Sequence, residues 1–87
     1  MHSEQGLLPE TLLADVQEML EDVPYDIEAR TDFQGKFVRL RMYHINPDSS
    51  RSGIAISLDP GLLWEHNKKG VQMAIDALVR HIERPDE

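Results

Sequence analysis

Residues 36–45 read Lys-Phe-Val-Arg-Leu-Arg-Met-Tyr-His-Ile, and the alternation within this stretch decides the fold. Side chains along a strand point to opposite faces in turn. Val38, Leu40, Met42 and His44 therefore share one face, which is largely apolar and suited to a core. Phe37, Arg39, Arg41, Tyr43 and Ile45 share the other, which sets two arginines between two aromatics and suits a surface.

The neighbouring segments supply partners for this strand. Tyr25 to Thr31 alternates Tyr25, Ile27 and Ala29 with Asp26, Glu28 and Arg30. Asp32-Phe33-Gln34-Gly35 reads as a hairpin connection, with Gly35 free to take positive φ. Pairing Thr31 with Lys36 sets Ala29 against Val38, Ile27 against Leu40 and Tyr25 against Met42. The same register sets Glu28 against Arg39 and Asp26 against Arg41, so apolar and charge matching point to one alignment. On the other side, residues 46–53 form a polar, turn-rich loop. A third strand, Ile54 to Leu58, places Ile54 across from His44, Ile56 by Met42 and Leu58 by Leu40, with Asp59 near Arg39. Strands joined by consecutive hairpins make a three-stranded antiparallel meander.

Helical periodicity flanks the meander. Over Pro9 to Val23, Leu8, Leu12, Val16, Met19, Leu20 and Val23 recur at helical spacing. Pro9 suits the first helical position and Glu10 the positive end of the helix dipole. Asp15, Glu18 and Asp22 form the opposite, charged face, and Pro24 ends the helix because the residue before a proline is pushed towards extended geometry. Asp59-Pro60 signals a second helical start. A short turn over 61–67 and a break at Gly70 precede the main helix, Val71 to Glu83, with Val71, Ala74, Ile75, Leu78 and Ile82 as its stripe and Asp76 and Arg80 spaced to pair. Arg84 to Glu87 are expected to fray. The expected fold is α+β: an α-β-β-β-α two-layer sandwich with both helices on one sheet face, residues 1–87 forming a single domain.

Size and charge narrow the function. A chain of 87 residues buries only about 60–65% of its unfolded surface, and a homodimer through the open sheet is an expected way to bury more. The net charge of −7 is uneven. Residues 1–24 hold six acids and no Lys or Arg, residues 25–59 five acids and five bases, and residues 60–87 five acids and four bases. Such a chain repels phosphate backbones and anionic membranes. There is no cysteine, hence no disulfide, thiolate metal site or thiol nucleophile. The first ten residues lack the basic and apolar regions of a signal peptide, and no apolar run approaches a bilayer span, so a cytoplasmic location is expected.

No catalytic pattern emerges. His44, His66 and His81 lack the spacing of a helical metal site, and no HExxH motif exists. Ser49, Ser50, Ser52 and Ser57 sit in no nucleophile elbow. The paired carboxylates lie on an exposed helix, without the burial that tunes an acid. No cofactor, metal or enzymatic activity is therefore expected.

What remains is surface. Arg30, Phe37, Arg39, Arg41 and Tyr43 form an aromatic and arginine-rich sheet face of the kind enriched at protein interfaces. The Asp15, Glu18 and Asp22 face offers a docking surface to a basic protein partner. The primary expectation is a small protein-interaction or regulatory module.

The α-β-β-β-α order also resembles the double-stranded RNA-binding domain. Asn67-Lys68-Lys69-Gly70 is similar to the paired-lysine opening of that family's last helix. The resemblance implies duplex RNA binding through Lys68 and Lys69, as the alternative function. Val71 to Ala74 lack the family's further lysine, the hairpin lacks its Gly-Pro-His element, and the first helix is acidic.

Overall fold

A computed structural model describes residues 9–33 and 36–83. The elements run α1 (Pro9–Leu20), β1 (Ile27–Phe33), β2 (Val38–Ile45), β3 (Arg51–Leu58) and α2 (Trp64–Glu83). The three strands form one antiparallel sheet in the order β1-β2-β3. Both helices pack on the same face, α1 mainly over β1 and α2 mainly over β3. The fold is α+β, in the order the sequence implies. Leu8, the Gln34-Gly35 pair and Arg84–Glu87 lie outside the described residues.

Parity in the central strand holds. Val38 and Leu40 are 0% exposed and Met42 1%, while Arg39 and Arg41 are exposed. Around those three gather Leu12, Val16 and Leu20 of α1, Ile27 of β1, Leu58 of β3, and Val71, Ala74, Ile75 and Leu78 of α2. One face is covered by helices and the other left to solvent, as antiparallel sheets commonly allow.

Both registers differ from the sequence expectation, each by an even number of residues. In the first hairpin Ile27 faces His44, Ala29 faces Met42, Thr31 faces Leu40 and Phe33 faces Val38. Asp32 and Phe33 thus extend β1 instead of forming the turn. Glu28 faces Tyr43, not Arg39, and Asp26 precedes the strand rather than facing Arg41. Exposed charge pairs contribute only about 0.2–1 kcal/mol. They are too weak to fix the register. In the second hairpin Ile54 faces Met42, Ile56 faces Leu40 and Leu58 faces Val38. The loop shortens to residues 46–50, so Arg51, Ser52 and Gly53 join the ladder.

That turn is closed by its own hydrogen bonds. Asn46 N–H donates to Ser50 O at 2.8 Å and Ser49 N–H to Asn46 O at 2.9 Å. The Asn46 amide also donates to Ser50 Oγ and Ser52 Oγ, both at 3.0 Å. Ser49 takes φ of 75°, the left-handed conformation that reverses the chain here.

The helix boundaries shift too. α1 ends at Leu20, three residues before the expected Val23. The following turn carries Glu21 N–H to Glu18 O at 3.2 Å and Val23 N–H to Leu20 O at 3.0 Å, since Pro24 already bars Val23 from helical geometry. α2 is one helix of 20 residues running straight through Gly70. Its start is organised by Asn67, a side chain only 6% exposed in total. The Asn67 amide donates to Asp59 O at 3.0 Å, and its oxygen accepts from Asp59 N–H at 3.3 Å. The loop is thereby tied to the helix, which begins at Trp64 and carries Gly70 well inside. Asp76 accepts from Gln72 Nε2 at 3.3 Å rather than pairing with Arg80 among the described residues.

Candidate partner-binding face

The uncovered sheet face is built row by row from the observed registers. Tyr43 lies between Glu28 and Gly53, Arg41 between Arg30 and Ala55, and Arg39 between Asp32 and Ser57. The β1 and β2 portion is therefore charged and aromatic, whereas the β3 portion is Gly, Ala and Ser. Within the strands this face holds four arginines (30, 39, 41 and 51) and two carboxylates, Glu28 and Asp32. Its local balance is basic on a chain whose total is −7.

Tyr43 is the centre of the arrangement. Its hydroxyl donates to Glu28 Oε1 at 2.6 Å, which fixes the ring. The Arg30 guanidinium lies 5.9 Å from the ring centroid and that of Arg51 5.3 Å, within cation–π range. Gly53 lets β3 approach β2 closely beside this ring. A Cβ there would stand 3.1 Å from Met42 O and 3.2 Å from Tyr43 Cβ. A shallow hollow of about 400 Å³ lies here, lined by Arg30, Arg41, Met42, Tyr43, Arg51, Gly53, Ile54 and Ala55. Arg41 pairs with Asp32 at 2.5 Å, which relieves the like-charge juxtaposition of Arg30 and Arg41 across the ladder. Among the described residues no carboxylate lies within ion-pair distance of Arg30, Arg39 or Arg51.

The expected face is thus assembled for Arg30, Arg39, Arg41 and Tyr43. Phe37 precedes β2 and is exposed, outside the strand. Sequence reading missed Arg51 and Gly53, which it left in the loop. The signal available was the run from Arg51, whose alternation with Ser52, Gly53 and Ile54 continues the strand pattern.

The acidic residues are less concerted than expected. Asp15 is half-buried and Glu18 exposed on α1, while Asp22 follows the helix. Asp22 lines a hollow of about 440 Å³ between α1 and α2, opposite Arg80. Lys68 and Lys69 are exposed in the second turn of α2, not at its opening.

The histidines divide. His44 is half-buried at the end of β2, with its ring edge-on to Tyr25 at 6.0 Å and Nδ1 3.3 Å from Asn46 Oδ1. His44 and His81 line a hollow of about 790 Å³ beside the β2–β3 turn, whereas His66 stands in the first turn of α2. Tyr25 closes this end, its hydroxyl donating to Glu83 Oε2 at 3.1 Å. That bond, with the charge of Glu83 beside it, holds the phenol above its ordinary pKa. Among the described residues no three His, Asp or Glu side chains are placed to hold a metal ion, and no helix is long and apolar enough to cross a membrane.

Comparison with protein-family models, curated proteins and solved structures finds no match to this chain. The functional reading therefore rests on the site itself.

Proposed function

We propose that this chain is a protein-binding module, acting without a chemical step, whose open sheet face receives an acidic segment of a partner protein. One observation carries the reading: Arg30 and Arg51 bracket the Tyr43 ring above a floor of Gly53 and Ala55. Aromatic and arginine side chains supply much of the energy at protein interfaces, and a floor without side-chain bulk lets a partner backbone approach. A partner carboxylate would meet guanidinium groups already held over an aromatic ring, so little side-chain freedom is left to lose on binding.

The test is a titration of isotopically labelled protein with peptides rich in Asp, Glu and Tyr, followed by NMR. Amide shifts are expected at Tyr43, Gly53 and Ala55, with affinity falling as salt rises. Replacing both arginines, Arg30→Glu with Arg51→Glu, is expected to weaken binding at least about tenfold. Shifts confined to α1 or α2, or an unchanged affinity in the double variant, would refute it. Binding of duplex RNA instead, lost in Lys68→Glu/Lys69→Glu, would move the function to α2.

A further inference from the structure

Among the described residues the sheet has two unpaired edges, and they are built differently. β1 carries Glu28, Arg30 and Asp32 at alternate positions, the charges by which sheets discourage unwanted strand pairing. β3 carries no charge between Arg51 and Asp59, no proline before Pro60, and an unbroken register with β2. Among the described residues no strand pairs with the far side of β3, so alternate residues along its eight direct backbone N–H and C=O groups outward unpaired. Ile54 and Ile56 point to the core side yet remain half-exposed, although Leu40 and Met42 opposite them are buried. Their exposure comes from the missing strand on the far side.

We infer that the occupant of this edge is a second copy of the chain, pairing β3 with β3 about a twofold axis at Ala55. The sequence of β3 is self-complementary when reversed about that residue. Ile54 meets Ile56 of the other copy twice over, Gly53 meets Ser57, Ser52 meets Leu58, and Ala55 meets itself. Arg51 meets Asp59, with opposite charges at both ends of the ladder. Moving the axis to Ile54 or Ile56 loses both mixed isoleucine pairs and both Arg51–Asp59 pairs. Because the axis pairs odd with odd positions, the helix-covered faces stay on one side. An isologous contact of this kind is the usual form of a homodimer.

The helix layer agrees. Gln72, Asp76 and Val79 of α2 line the hollow beside α1, so helical periodicity turns Gly70 and Ala77, both small and exposed, to the opposite flank, on the β3 side. Paired edges bring two such flanks together, where Ala77 permits close approach of the helices.

Sedimentation velocity of the full chain, from about 1 to 100 µM, is the first measurement. A mass of twice 10.0 kDa is expected, and a monomer throughout overturns the inference. Ala55→Glu places two carboxylates at the axis while leaving each beside Arg41 within its own sheet. A folded variant whose dimer dissociates at least about tenfold more readily supports the pairing, and an unchanged dimer overturns it. The register is tested by single cysteines, clean reporters because the chain has none. Ala55→Cys is expected to link copies through a short thiol crosslinker, whereas in Ser57→Cys the thiols stand about 14 Å apart along the strand. Linking at 57 as readily as at 55, or at neither, refutes the axis whether or not the glutamate variant folds.

Discussion

Replacement of Gly70 distinguishes two accounts of α2 by the sign of its effect. In the structure Gly70 is the seventh residue of a continuous helix, exposed, and a Cβ added there meets nothing within 4 Å. Alanine then adds no clash and removes the conformational freedom that glycine loses on folding. Gly→Ala in an exposed helix interior is worth about 0.8–1 kcal/mol, which is roughly 4–8 °C in Tm for a domain of this size. If the chain instead broke at Gly70 and the helix began at Val71, residue 70 would be the N-cap. Alanine is far poorer than glycine there, and the same substitution would destabilise. Proline sharpens the contrast. Inside the helix Gly70→Pro removes a hydrogen bond and drives its ring against the preceding turn, costing about 3 kcal/mol or more relative to alanine. Urea denaturation followed by circular dichroism, at two protein concentrations so that self-association is separated from folding, measures both variants. A destabilised Gly70→Ala, or a Gly70→Pro as stable as wild type, would refute the continuous helix.

Three further outcomes follow from local geometry. Asn67→Ala leaves the backbone N–H and C=O of Asp59 without their buried partner, so a loss of about 1–3 kcal/mol is expected in the same denaturation assay; Asn67→Asp, which keeps only the acceptor, should not restore it. Ser49→Gly relieves a left-handed backbone at φ of 75° and is expected to stabilise by about 0.5–1 kcal/mol, read from Tm. The Asp48 carboxyl is held below its ordinary pKa by the Ser50 hydroxyl and then the Ser50 N–H, which donate to it at 2.6 and 3.0 Å. A depressed folded value favours the fold above the ordinary carboxyl range and loses that contribution as pH falls through the folded pKa, so the Tm difference between wild type and Asp48→Asn should shrink in acid.

The sequence carries the order of elements because periodicity depends on core burial, the largest energy involved. Ile27, Val38, Leu40, Met42, Leu58, Val71, Ala74, Ile75 and Leu78 announce themselves by spacing, and all are buried. Register is harder. Every even shift preserves which side chains are inside, so hydrophobic pattern alone cannot choose among them. The exposed charges that point to the first register are worth too little: Arg30 stands directly opposite Arg41, tolerated because Asp32, next along the same face, pairs with Arg41. Gly70 misleads for a related reason. Its cost of about 1 kcal/mol is small beside the burial of Val71, Ala74, Ile75 and Leu78 on the same helix. The candidate face was half legible, since Arg39, Arg41 and Tyr43 follow from parity in β2. Arg51 and Gly53 required knowing where β3 begins.

The edge pairing and the partner-binding face bear on one another. On the proposed axis, the row Tyr43-Gly53 continues into Ser57 and Arg39 of the second copy, and the row Arg41-Ala55 continues into its own reflection. Six small residues then floor a trough walled on each side by Arg39, Arg41 and Tyr43. Three strand spacings separate the two central strands, about 14 Å, which admits a helix of about 10–12 Å overall diameter. A single chain offers only one wall and half the floor. It follows that one acidic helical segment should bind per two chains. Isothermal titration fixes the ratio. A stoichiometry of one peptide per chain, with the dimer intact, would separate the two proposals and leave the single-chain hollow as the binding unit.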